Sequence, residues 1–157
     1  MKFSTKQDIE APLVFVHQTL TDFGMWERAA MRRGAEVNRT DTLRQPAAGM
    51  AWASKFNYRG KERNIAVTLT EWDAPLHLAF AGHATTIEAL ARIELLEMSA
   101  KRTRLLITME VTPKTLGARL FLQSLRLARA RVDRSFDQRV AHMAHDIEQR
   151  FRGVRRA

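Results

Sequence analysis

Two periods divide the chain. Between residues 35 and 111 apolar side chains recur at every second position, and beyond residue 115 they recur at every third or fourth. Met50, Trp52, Ser54, Phe56 and Tyr58 alternate with Ala51, Ala53, Lys55 and Asn57. Ile65, Val67 and Leu69 alternate with Asn64, Ala66, Thr68 and Thr70, and Leu78 and Phe80 with His77, Ala79 and Ala81. Ile87, Ala89, Ala91, Ile93 and Leu95 stand against Glu88, Arg92, Glu94 and Leu96, followed by a last set of Leu105, Ile107, Met109 and Val111. A period of two puts one parity on each face of a sheet, so each run predicts a half-buried strand. Ala35–Thr42 adds another, and residues 2–10 a first strand with Phe3 and Ile9 on one face.

The closing segment carries Phe121, Leu125, Ala128, Val132, Phe136, Val140, Met143, Ile147 and Phe151 at helical spacing. This predicts one unbroken helix from Leu116 to Phe151, about 54 Å long at a rise of about 1.5 Å per residue. Leu116, Leu120, Leu122 and Leu127 widen its apolar arc, so its first half has to touch two surfaces. Two short helices precede the strands. One begins at Pro12 and carries Leu13, Val16, His17 and Leu20; the next follows Thr21-Asp22, runs through Trp26, Ala29, Ala30 and Met31, and ends at Gly34. Proline suits a first helical turn because its missing N–H has no partner there, aspartate caps exposed N–H groups, and glycine accepts a left-handed terminus. Turns at Gln45–Gly49, Arg59-Gly60-Lys61, Asp73-Ala74-Pro75 and Ala100-Lys101-Arg102 make the strands sequential neighbours, and Pro113 stops the last one. The predicted fold is α+β: a seven-stranded antiparallel sheet wrapped around a long C-terminal helix, with two short helices after the first strand. One domain covers residues 1–152, and residues 153–157 read as a frayed tail.

The stretch from Asp8 to Asp22 is the most distinctive of the chain. Ile9, Ala11, Pro12, Val16, Leu20 and Asp22 resemble the "I-x-A-P…V…L-x-D" opening of the START-like superfamily of polyketide cyclase/dehydrase and lipid-transport proteins, the helix-grip or Bet v 1-like group. The resemblance implies the same architecture as the periodicity. It also implies a cavity for a hydrophobic guest between sheet and helix.

A length of 157 residues allows roughly two thirds of the unfolded chain's surface to be buried. The absence of cysteine removes disulfides, thiolate nucleophiles and cysteine-based zinc sites together. Residues 1–20 do not read as a secretory signal, because the apolar run Ala11–Val16 is short and Asp8 and Glu10 lie where positive charge belongs. No window approaches the roughly 18 apolar residues of a membrane span. A soluble, cytoplasmic protein is expected. Net charge is +9 and uneven: residues 116–157 hold ten arginines and four acids, +6, leaving +3 for residues 1–115. Such asymmetry suits an anionic partner or a solvated helix face.

Strong catalytic motifs are absent: no phosphate loop, no nucleophile elbow, no metal-binding histidine pair. No cofactor or metal is implied. His142 and His145 are neighbours on the helix surface, but a metal needs further ligands, and Asp146 is expected to point elsewhere. His77 and His83 fall on the parity opposite Leu78 and Phe80, which places them in solvent, and Glu88, Arg92 and Glu94 should pair across strands on that same outer face. In the helix-grip group the face bearing Trp52, Ser54, Phe56 and Tyr58 lines the cavity. The candidate ligand-binding set therefore joins these four to Val67, Leu69, Phe80, Ala89, Ala91 and Met109 on the sheet. Phe121 and Leu125 on the long helix and His17 near the mouth complete it. Ala89 and Ala91 matter because small inward side chains leave space. Each of these residues also has a plain structural reading, as core packing or, for Tyr58, as a rim residue beside the Arg59-Gly60 turn.

Three functions fit. The first is binding or carriage of a small hydrophobic ligand: a lipid, a quinone, or a polyketide-like or other aromatic molecule. The second is a cyclase/dehydratase- or isomerase-type enzyme, with His17 as base and Tyr58 as acid or oxyanion donor. The third is an interaction module working through the basic helix, on an anionic membrane or RNA. Nucleic acid is disfavoured because Phe121, Phe136 and Phe151 belong to the apolar stripe instead of interleaving with the arginines; a weak anionic-membrane contact remains.

Overall fold

Alternation along the chain becomes seven antiparallel strands in one sheet. The computed structural model describes residues 1–156, Arg155 and Arg156 by backbone only. Its elements are β1 (Lys2–Ile9), α1 (Leu13–Leu20), α2 (Phe23–Arg32), β2 (Glu36–Arg39), β3 (Ala51–Tyr58), β4 (Lys61–Asp73), β5 (His77–His83), β6 (Ile87–Ser99), β7 (Arg102–Pro113), α3 (Leu116–Leu127) and α4 (Arg129–Arg156). Strand order is β1-β7-β6-β5-β4-β3-β2. The two strands flanking the short helices thus lie at opposite edges, and the helices bridge across one face. The α+β helix-grip arrangement expected from the sequence is the one observed. No helix among the described residues is long and apolar enough to cross a membrane.

Local chemistry explains the boundaries. Asp22 caps α2 by accepting the Met25 N–H. Thr115 caps α3 in the same way through Ala118. The β3–β4 turn has Arg59 at φ 51° and Gly60 at φ 76°; a two-residue hairpin turn of this hand requires positive φ at both positions.

Register fixes which side chains meet on the inner face. One cross-strand row reads Leu69–Phe80–Ala91–Met109–Phe3, and the next Leu78–Ile93–Ile107–Thr5. The outer face carries the charged side chains, Arg92 near Glu71 and Lys114 near Glu88; His83 is exposed beside Glu88 as parity demands, whereas His77, expected in solvent, is half-buried beside Glu71. Exposed pairs of this kind contribute about 0–1 kcal/mol each.

Two apolar clusters form. The larger joins Ile9, Ala11, Val16, Leu20, Leu95, Leu105 and Ile107 to Val140, Ala144 and Ile147 of α4. The smaller consists of Met50, Trp52, Leu69 and Leu78. Ile93 packs against both.

The C-terminal segment departs from expectation. It is two helices, not one unbroken rod. At Ala128 (φ −108°, ψ 25°) the N–H turns to Leu125 O, three residues back, and α4 starts anew at Arg129. The two pieces serve different surfaces, α3 resting on β7 and α4 chiefly on β1. Arg129 holds the junction: its guanidinium donates to Lys2 O, lies 5.1 Å from the Phe3 ring and pairs with Asp133. The 153–157 segment read as a tail falls within α4 as far as Arg156, and Ala157 lies outside the described residues. Asp146, expected to point away from the histidines, sits one turn beyond His142 with its carboxylate 3.6 Å from Nε2.

Candidate functional site

Between the two clusters lies a cavity of about 690 Å³. Its floor is the sheet: Trp52 and Ser54 of β3, Val67 of β4, Phe80 of β5, Ala91 and Ile93 of β6, Ile107 and Met109 of β7. α2 closes one side with Phe23, Trp26, Glu27 and Ala30, and α4 another with Phe136, Arg139, Val140 and Met143. The four α2 residues are spaced i, i+3, i+4, i+7, a single helical face. That face is apolar but for one carboxylate, yet α2 contains no fully buried residue. An inward helix face that stays part-exposed is looking into empty space.

The site has an aromatic wall. Phe23 lies 5.2 Å from Trp52 and 6.2 Å from Phe80, and Trp52 lies 6.4 Å from Phe80, measured between ring centroids. Burying indole requires a partner for its N–H. Trp52 Nε1 donates to Glu27 Oε1 at 2.8 Å, and Trp26 Nε1 donates to Leu20 O at 3.1 Å. Behind Trp52, the Arg39 guanidinium stands 5.8 Å from the indole centroid. Asp41 fixes that arginine, and also accepts from the N–H groups of Ala51 and Leu43. The Arg39 hydrogen bond, then the one from Ala51, holds the Asp41 carboxyl far below the usual carboxylate range. The β2 edge and the Trp52 ring are thereby pinned from outside the cavity.

Among the described residues Glu27 and Arg139 are the only ionisable groups in the lining. Glu27 is engaged by Trp52; Arg139 has no ion-pair partner among the described residues. Because Arg139 is an exposed side chain, the cavity meets solvent there.

Of the residues singled out by sequence, Trp52, Ser54, Val67, Phe80, Ala91 and Met109 come together in the lining. The others lie elsewhere. Leu69 is wholly buried in the smaller cluster. Ala89 shares the inner face but sits in register with Gly82 and Val111, beyond the cavity. Phe56 points inward nearer the hairpin tip, and Tyr58 is at the tip, 49% exposed. Phe121 and Leu125 belong to α3, which the break at Ala128 carries away from α4 and onto β7.

His17 is not in the lining either. Its ring packs 5.4 Å from Trp72, and its buried Nδ1 has no hydrogen-bond partner among the described residues. Burial lowers its pKa below the ordinary 6.5. A histidine held neutral in the folded state makes the unfolded chain the better proton acceptor. Stability from this source is complete above pH 6.5 and declines as pH falls below it. Urea denaturation at a series of pH values should show that decline. The decline should shrink in His17→Gln, and an unchanged profile would rule the assignment out.

A second hollow, of about 470 Å³, lies over β2, β3 and β4 and is bordered by Glu36, Asn38, Lys55, Asn64 and His83. Its lining mixes these polar side chains with Ala53, Ile65, Ala66 and Ala84, and among the described residues no buried unpartnered polar group borders it.

Spacing could have located more of the site. Phe23, Trp26, Glu27 and Ala30 are legible as one face of α2 once i, i+3, i+4, i+7 is applied from the cap at Asp22. In the sequence Arg139 is one of ten arginines beyond residue 115, and only the packing of α4 across the cavity sets it apart.

No family model and no curated protein matches this sequence. Solved structures do match in shape. The Zhui aromatase/cyclase from a Streptomyces species superposes with a TM-score of 0.67 at 14% identity, over 96% of this chain and 94% of its own. TTHA0849 from Thermus thermophilus gives 0.66 at 14%, over 98% and 99%. A START superfamily protein from Mycobacterium smegmatis gives 0.61 at 11%, over 98% of each chain. The fold is START-like. Within the START-like, helix-grip arrangement, the cavity described above occupies the space between sheet and C-terminal helix that the N-terminal motif led us to expect.

Proposed function

We propose that this protein binds a small hydrophobic molecule, aromatic or lipid-like, in the cavity between β3–β7, α2 and α4. The observation that carries this reading is the α2 face itself. Phe23, Trp26 and Ala30 present apolar surface to a hollow of about 690 Å³ in place of a packed core. Interiors are normally filled to crystal-like density, and a hollow of this size is in the range of small-molecule sites. Affinity would come mainly from apolar burial, at about 25 cal/mol per Å². The Phe23–Trp52–Phe80 wall favours a flat, ring-containing guest. One structural neighbour being an aromatase/cyclase is consistent with a guest of that chemistry. Arg139 at the open side would meet a polar or anionic end of the guest.

The test is a titration with two fluorescent probes of one apolar body, neutral N-phenylnaphthylamine and its anionic counterpart anilinonaphthalene sulfonate. Both should bind saturably with blue-shifted emission. Arg139→Gln should weaken the sulfonate about five-fold and leave the neutral probe unchanged. Absence of saturable binding by both probes would remove the proposal.

A further inference from the structure

α3 faces the wrong way for an ordinary surface helix. It buries Leu122 and half-buries Leu125 against the body of the protein. On its opposite side stand Leu116, 71% exposed, Leu120, 58% exposed, and Leu127, 93% exposed. At 100° per residue these three fall within an arc of about 40°, an apolar stripe turned to solvent with Gln123 at its edge between Leu120 and Leu127. Scattered exposed leucines are commonplace, but an aligned stripe marks a contact surface.

The chemistry around the stripe narrows what it contacts. α3 contains no acidic residue. Arg119 and Arg126, one turn apart twice over, border the stripe along one side. Beside α3 sits the β3–β4 hairpin tip, joined to it by a stacked bridge: the Arg59 guanidinium lies 5.4 Å from the Tyr58 ring and 5.3 Å from the Phe121 ring. Tyr58 and Phe121 are both exposed. Leucines aligned on one face, flanking arginines and a tyrosine held at the margin form the pattern of an element lying in a membrane interface. The alternative occupant, a second copy of this chain, fits poorly. Two α3 stripes packed antiparallel would bring Arg119 and Arg126 of one copy against those of the other with no acid on either helix. Three leucines also cover only a few hundred Å², below the roughly 1,000 Å² that a stable protein interface buries.

We infer that α3 and the β3–β4 hairpin tip form a docking surface for an anionic lipid bilayer, with Leu116, Leu120 and Leu127 entering the interface and Arg119 and Arg126 meeting lipid phosphates. This surface is separate from the cavity and does not depend on what the cavity holds.

Co-sedimentation with vesicles tests it, using phosphatidylcholine alone and phosphatidylcholine with a quarter phosphatidylglycerol. Wild type should bind the anionic vesicles, bind neutral ones much less, and be released by salt. Leu120→Gln with Leu127→Gln should weaken binding more than about ten-fold. Arg119→Gln with Arg126→Gln should weaken it roughly twenty-fold. All four side chains are solvent-exposed, so thermal unfolding should match wild type; Leu127→Gln alone, at the most exposed position, serves as a second variant. Leu90→Gln is the control, since Leu90 is an exposed leucine on the outer sheet face, and it should bind as wild type. The inference fails if wild type does not sediment with anionic vesicles, if neutral vesicles bind equally, or if the leucine pair is as tight as wild type. A concentration-dependent dimer that Leu127→Gln dissolves would overturn it in favour of a second copy.

Discussion

Ala91→Phe is expected to lower the affinity for N-phenylnaphthylamine by at least about ten-fold with the fold intact. Ala91 stands between Phe80 and Met109 in the inner cross-strand row, the one small side chain among large ones. Its methyl group therefore leaves a dip in the cavity floor. Phenylalanine there would project a ring into the hollow beside Trp52 and Phe80, taking the volume that a guest needs. Overpacking a filled core costs about 1–3 kcal/mol. Here the added ring enters open space, and the unfolding midpoint should stay close to that of wild type or rise. Fluorescence titration and thermal unfolding on the same sample give both readings. Undiminished binding in a folded Ala91→Phe protein would place the guest elsewhere.

The opposite pattern is expected from Ile147→Ala. Ile147 is buried at the centre of the larger cluster, among Ile9, Val16, Leu105, Val140 and Ala144, and it is outside the cavity lining. Truncating a buried isoleucine removes its transfer energy and leaves a void, together about 2–5 kcal/mol. At about 2–4 °C per kcal/mol for a chain of this size, the melting temperature should fall by roughly 4–20 °C. Probe affinity measured well below that temperature should stay near wild type, since no wall of the site is touched. A loss under about 1 kcal/mol by urea denaturation would mean that α4 is not anchored to the sheet at this point. The two variants together separate the packed part of the interior from the hollow part.

Most of the architecture was legible because it rests on local rules. Alternation in β3 through β7 sets strand faces, Asp22 and Gly34 bracket α2, and Arg59-Gly60 closes a hairpin; each signal lies within a few residues of its effect. The same parity puts Trp52, Ser54, Val67, Phe80, Ala91 and Met109 on one face of the sheet, and the family resemblance implies that this face lines a cavity; all six line the one observed. What parity cannot supply is position along a strand. Phe56 and Tyr58 share the face of Trp52 but run out past the cavity toward the tip, and Ala89 lies beyond it in register with Gly82. The break at Ala128 was illegible for a different reason. No proline or glycine marks it, the apolar repeat passes through it unbroken, and it arises from two helices settling on β7 and β1. Phe121 and Leu125 were misplaced by that single event. Arg139 and Glu27 were missed because a charge at a cavity mouth and a charge in open solvent look alike until the opposing wall is in place.

Among the described residues Ile93 is the side chain that packs against both apolar clusters, and that slender link has a consequence for how the helices are joined. The seven strands are hydrogen-bonded to one another in a single sheet, so the walls that the interior ties together least are α2 and α4, which face each other across the cavity. Whatever settles between Trp52 and Met143 would act as missing filler as much as cargo. It would couple α2 to α4 through its own bulk and add RT ln(1 + [L]/Kd) to the stability of the whole. Capture and stiffening would then be one event.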